Sequence, residues 1–182
     1  MDSLPRPVLA RVKSLPRGSR NLWHVHPWAQ FTYANKGVLV LRTDQGTFPT
    51  PPQWAVWIPA GVYHEVITSV RTERRNFFID PRKVDWSLTT CRVLEVSSFM
   101  RELIGVVAAL PVEYDEQGSD GRLAQIFLDQ IALMREARFS LPIRTWFPAH
   151  RRASLQMTSP LLMSHQLGDW LEYMEKRRSK RR

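Results

Sequence analysis

The chain has one cysteine, Cys91, in 182 residues. An intramolecular disulfide is excluded, and so is any zinc site built on a cysteine cluster. Glycine is scarce, with eight residues and none clustered, so no glycine-rich loop can cradle a phosphate. No Gly-x-Ser-x-Gly elbow occurs, and Cys91 falls in a β-rich run where a thiol is expected to be buried and inert. Nucleophilic catalysis therefore has no anchor. Long apolar runs are missing too. The longest, around Leu103 to Leu110, is far short of the ~18 residues of a membrane span. The first residues lack the apolar core of a signal peptide. These absences point to the cytoplasm and away from a membrane partner.

What is present is ordinary globular material, 43% hydrophobic and 24% charged, in a chain long enough to bury a core without staples. The net charge of +9 is unevenly placed. Residues 144–182 hold nine Lys/Arg against three Asp/Glu, whereas residues 1–143 are nearly balanced. The last seven residues are basic apart from Ser179. Lys176, Arg177, Arg178, Lys180, Arg181 and Arg182 are thus candidate phosphate or DNA contacts.

Two textures divide the chain. From 22 to 97, short β-rich runs at 31–33, 37–43, 55–58, 64–68, 75–79 and 91–96 alternate with turn signals such as Asn35-Lys36-Gly37 and Pro59-Ala60-Gly61. A further strand is expected at 8–12. Strands at this spacing imply a β-sandwich or barrel. The period then changes. Ser97 or Ser98 can cap a helix running to Leu110, where Pro111 stops it, and Ser119 or Asp120 can cap a second. The expected plan is mainly β with α: a barrel over 1–96, an antiparallel helical hairpin over 97–140, and a linker with a short helical, basic tail over 141–182. The apolar stripe Leu103, Ile104, Val107, Leu123, Phe127 and Ile131 is the candidate dimer interface of the hairpin.

Three of the five histidines fall in the β region. His24 and His26 alternate along a presumed strand and would share a face with Gln30 if that strand ran on past Pro27. His64 follows the Pro59-Ala60-Gly61 turn. Imidazole nitrogens gathered on one face can chelate a divalent metal ion, and Gln30 would add a neutral oxygen. His24, His26, Gln30 and His64 are thus both the candidate metal set and, with Tyr33 and Trp57, the candidate lining of a small-molecule pocket. His150 and His165 read as surface residues.

The spacing His-x-His-x3-Gln-x6-Gly over His24 to Gly37, with Pro-x-Gly-x2-His over Pro59 to His64, resembles the two cupin motifs, with Gln30 where those barrels carry an acid. The longer stretches 26–34 and 51–66, with Cys91-Arg92-Val93-Leu94, Ser97-Ser98, Arg101 to Ile104, Tyr114 and Arg122-Leu123, resemble the sensor domain of AraC-type transcriptional regulators over about residues 20–142. The resemblance implies a cupin-like barrel that binds a small-molecule effector, a hairpin that makes a homodimer, and paired helix-turn-helix units that bind DNA. Leu167-Gly168-Asp169-Trp170 resembles the start of the first such unit. Glu175 stands where the turn glycine belongs, so a truncated DNA-binding half with weak or nonspecific DNA contact is expected. No enzyme activity and no obligatory cofactor are expected. The alternative is a small cupin metalloenzyme, a dioxygenase or isomerase, working through the three histidines.

Overall fold

A computed structural model describes residues 4–137 except 45, 69, 85 and 87. The expectations for 141–182, including the basic tail, His150 and His165, lie outside the described residues. Nine strands and two helices form within them: β1 Val8–Leu15, β2 Arg20–His24, β3 Ala29–Lys36, β4 Leu39–Thr43, β5 Gly46–Thr50, β6 Trp54–Ile58, β7 His64–Thr68, β8 Thr72–Ile79, β9 Arg92–Glu95, α1 Ser98–Val107 and α2 Ser119–Leu133. The fold is mainly β with α.

The strands pair antiparallel in two sheets, in the order β1-β8-β3-β6-β9 and β2-β7-β4-β5. Among the described residues no ladder joins the two, so the expected barrel is a facing pair of sheets, not closed by continuous pairing. The strand expected through His24 and His26 is β2, which begins earlier, in the polar lead-in, and ends at His24. One strand exceeds the sequence expectation: β5, which contains Pro49 opposite Val40. It is the edge strand of its sheet, where proline's missing N–H costs no ladder bond.

Alternation along the first sheet sorts its side chains into two cores. Phe31, Tyr33, Ala55, Trp57, Phe77 and Ile79 pack with Met100, Leu103, Ile104, Val107, Phe127 and Ile131 in one cluster, so this face carries the helical hairpin. Ala34, Val56 and Ile58 join Leu39, Leu41 and Val66 of the second sheet in the other cluster, between the sheets. The helices are fastened locally. The Ser97 hydroxyl accepts from the Met100 N–H at 3.1 Å, capping α1. Gly118, and not Ser119 or Asp120, stands at the N-cap of α2.

The hairpin stripe read as a dimer interface is used differently. Leu103, Ile104, Val107, Phe127 and Ile131 are all buried against the chain's own sheet, with Leu123 packed at the margin. Phe127 sits 4.6 Å from Phe77 and 5.6 Å from Phe31, centroid to centroid. The apolar side chains left exposed on the two helices are Phe99, Val106, Ile126 and Leu133.

Candidate functional site

The polar end of the space between the sheets is assembled at a chain crossing. β2 belongs to the second sheet and β3 to the first, and residues 25–28 carry the chain between them. Pro27, with no N–H and a fixed φ, breaks the strand that would have run from His24 to Gln30. The histidines therefore do not alternate along one strand, as expected; they converge from three segments. His24 closes β2, His26 lies on the crossing and His64 opens β7, directly opposite His24. The crossing is tied to the β6–β7 turn by the Gly61 N–H, which donates to the His26 carbonyl at 3.0 Å. Gly61 holds φ at +77°, a conformation that favours glycine.

One ring nitrogen from each of His24, His26 and His64 lies within 4.8 Å of the others. Each Nδ1 faces a backbone carbonyl: Leu22 at 2.6 Å, Trp28 at 2.7 Å and Val62 at 2.8 Å. A carbonyl only accepts, so each Nδ1 carries the proton and each Nε2 of the neutral ring presents a lone pair. Burial keeps the rings neutral. It lowers His24, pushes His26 down to about 4 and, aided by the nearby His24, pushes His64 down to about 3. The Arg74 charge also acts against protonation of His24.

The lone pairs are not equivalent. His26 Nε2 lies 3.0 Å from Gln30 Oε1, while Gln30 Nε2 donates to Thr32 Oγ1 at 2.6 Å and Thr32 Oγ1 donates to Asn76 Oδ1 at 3.1 Å. A neutral His26 cannot donate from both nitrogens. A half-turn of the Gln30 carboxamide places its N–H against Nε2; Thr32 Oγ1 then donates to Gln30 Oε1 and accepts from an Asn76 carboxamide turned likewise. Among the described residues, neither His64 Nε2 nor Trp28 Nε1, both buried, has a partner. Trp28 stacks on His26 at 5.9 Å, and Phe78 meets His26 edge-on at 5.7 Å. The site thus holds an unpaired donor and an unpaired acceptor, both desolvated, beside aromatic surface.

Of the residues expected to line this site, His24, His26, Gln30 and His64 are brought together. Tyr33 and Trp57 are not. Both stand on the opposite face of the sheet, in the core shared with the hairpin, and the Trp57 Nε1 donates to the Leu88 carbonyl at 2.9 Å. Thr32, Asn76 and Phe78 belong to the site and were missed. The signal was present in the alternation of Arg74, Asn76 and Phe78 with Arg75 and Phe77, but nothing in the sequence said which set faced the histidines. Glu65, next to His64 on β7, turns away. It is wholly buried on the outer face, between Arg20 at 2.8 Å and Arg42 at 2.7 Å. Cys91 is buried beside the intersheet cluster, and burial pushes its thiol up to about 12.

The three histidines form a donor set that fits a metal ion, with tautomers fixed by backbone carbonyls in the manner of metal-ligating imidazoles. The chemistry of sensing is equally served, because the same groups can hydrogen-bond an organic ligand.

A match to the AraC-like ligand binding domain family spans residues 16–142, most of the chain. The chain belongs to that family. Within it, the chain is 28% identical over 147 residues to the HTH-type transcriptional regulator NimR of Escherichia coli (strain K12), covering 81% of this chain and 53% of NimR. This AraC-like domain chain therefore spans about half the length of the curated relative it matches. Among solved structures it is similar to apo ToxT K231A from Vibrio cholerae strain SCE256, with a TM-score of 0.54 and 11% identity over 69% of this chain and 54% of that one. The unsaturated fatty acid bound form of wild-type ToxT gives a TM-score of 0.53 and 12% identity over 69% and 53%. These likenesses show a shared fold. Among the described residues, no helix is long and apolar enough to cross a membrane.

Proposed function

We propose that the chain is the effector-sensing part of an AraC-type transcriptional regulator, and that it binds a small molecule between its two sheets beside His24, His26, Gln30, His64 and Trp28. The observation that carries this reading is the pair of unpartnered buried atoms, Trp28 Nε1 and His64 Nε2. Each costs roughly 1–3 kcal/mol when left unsatisfied, and a ligand offering one acceptor and one donor removes both penalties. The ToxT structure bound to an unsaturated fatty acid supports a small-molecule ligand for this fold. A second copy is the expected partner, through Phe99, Val106, Ile126 and Leu133 on the hairpin. DNA is the expected target of the assembled regulator. The basic run from Lys176 supplies phosphate contact that does not discriminate sequence.

The test is a small-molecule panel screened against the full chain by thermal shift and tryptophan fluorescence. A saturable ligand is expected, with Trp28→Phe and His64→Leu each weakening it by roughly 5- to 100-fold, the range of one lost buried hydrogen bond. Ligands that bind equally well to both variants would place the effector elsewhere and sink the reading.

A second reading rests on the same orphaned His64 Nε2: a divalent metal ion held by His24, His26 and His64. Nitrogen ligands sit at about 2.1 Å from such an ion, so the rings would have to close together and His26 would have to leave Gln30. One equivalent of zinc or nickel should raise the melting temperature of the wild type and leave that of His64→Leu unchanged. A metalloenzyme is the less favoured form of this reading. Among the described residues no carboxylate faces the histidines, and the relative matched by sequence is a transcriptional regulator.

A further inference from the structure

Arg74 is 2% exposed. It stands on β8 opposite Lys13 of β1 and Ala34 of β3. It shares the face of Asn76 and Phe78, which meet the site through Thr32 and His26. Its charge reaches His24. The next charged group acting on it is another cation, Arg11, and this repulsion adds to burial in lowering the guanidinium to about 10. Among the described residues no carboxylate and no hydrogen-bond acceptor pairs with Arg74. The acids nearby in sequence or in the fold are committed elsewhere. Glu73 contacts Lys36 and Asn35, Asp80 is bound by Arg82, and Glu65 is bound by Arg20 and Arg42 on the outer face.

A buried charge without a counter-charge is expensive, and a ligand that supplies the counter-charge on binding offsets that cost. Arginine adds geometry to charge. Its planar fork of N–H donors matches the two oxygens of a carboxylate. On its face of the sheets stand Ala34 of the intersheet aliphatic cluster and Phe78, which meets His26 edge-on, surface suited to a small apolar body.

We propose that Arg74 is the anion-binding head of the effector site, and that the effector is a small organic acid whose carboxylate pairs with the Arg74 guanidinium. This rests on the sensing role proposed above and names the chemical class of the ligand. A neutral effector would leave Arg74 unpaired in both the free and the bound protein. An acid pairs it only on binding, which makes the site selective for charge.

The test uses the full chain at constant ionic strength, titrated with benzoate, its neutral counterpart benzamide, and inorganic phosphate, and read by thermal shift. Benzoate is expected to bind at least about tenfold more tightly than benzamide, the lower end for a charge-assisted hydrogen bond. Arg74→Met should bring the two within about twofold, and Arg74→Lys should keep a weaker preference for benzoate. Free Arg74→Met should be at least as stable to urea as the wild type, since an uncompensated charge has gone. An Arg74→Met protein that unfolds or loses stability would assign Arg74 a structural role and overturn the proposal. Phosphate binding in preference to benzoate, or the lack of a saturable benzoate shift, would overturn it too. Benzamide binding as tightly as benzoate would overturn the acid while leaving the sensing role intact.

Discussion

At the scale of single residues, the buried histidines make acid sensitivity a property of the fold. Burial pushes His26 down to about 4 and His64 down to about 3, against 6.5 for an ordinary histidine. The unfolded chain therefore binds protons first as pH falls. Stability is fully present above about 6.5 and is lost progressively down towards the folded values, by up to about 1.4 kcal/mol per pH unit for each ring. Urea midpoints measured from pH 7.5 to 4 should fall through this window, and His64→Leu should flatten the fall. A wild-type midpoint that stays level from pH 7 to 5 would contradict neutral buried rings. Two glycines give a second residue-scale contrast. Gly37 and Gly61 both hold a positive φ, at +85° and +77°. A Cβ at Gly37 would lie 2.6 Å from the Arg71 carbonyl oxygen and 2.9 Å from the Thr72 Cα, whereas one at Gly61 meets nothing within 4 Å. Gly61→Ala should cost about 1–2 kcal/mol in urea unfolding, the backbone penalty alone, and Gly37→Ala clearly more. Equal losses would mean that the turn before β4 can yield.

At the scale of elements, the pairing of the hairpin with the sheet decides what the sequence can disclose. Every residue of β3 from Ala29 to Ala34 is buried, because one face meets the other sheet and the opposite face meets the helices. Alternation then separates Phe31 and Tyr33 from Gln30 and Thr32 without saying which pair faces the ligand, so Tyr33 and Trp57 were readable as pocket residues. The helical stripe suffers the same ambiguity. Its 3.6-residue spacing shows that Leu103, Val107 and Phe127 are buried, but not whether a partner subunit or the chain's own sheet covers them. The run of strands followed by two helices and the Ser97 cap were legible from local spacing; the gathering of His24, His26, Gln30 and His64 was legible from the motifs alone, because Pro27 breaks the single strand that was expected to align them. Two consequences distinguish the covered stripe from the uncovered one. Phe127→Ala should lose about 3–5 kcal/mol of stability in urea whatever the protein concentration. Leu133→Glu, on a side chain 75% exposed, should leave the unfolding midpoint of the dilute chain within about 0.5 kcal/mol and shift sedimentation towards monomer. A Leu133→Glu chain that sediments as the wild type does would remove this face from the proposed dimer.

At the scale of the molecule, charge is sorted by place. Among the described residues Arg74 meets the intersheet site without a carboxylate partner, while the acids named above pair with arginine or lysine on the outside. The largest surplus lies far along the sequence, in the six cations from Lys176 to Arg182. These two positive regions should answer salt differently. An exposed cationic run binds DNA by releasing counterions from the phosphates, so its affinity falls steeply and logarithmically with salt, with a slope of about −0.9 for each phosphate neutralised. If all six cations engage duplex DNA, the slope is about −5, and it should be the same for unrelated sequences, because phosphate contacts carry no base readout. A buried guanidinium is screened far less, so an organic acid paired with Arg74 should lose little affinity over the same range of neutral salt. Fluorescence anisotropy on two unrelated duplexes from 50 to 200 mM salt, with and without deletion of the residues after Glu175, separates these contributions. Binding that survives the deletion with an unchanged slope would move the DNA contact off the tail. A marked preference for one duplex would show base readout that phosphate contacts alone cannot supply.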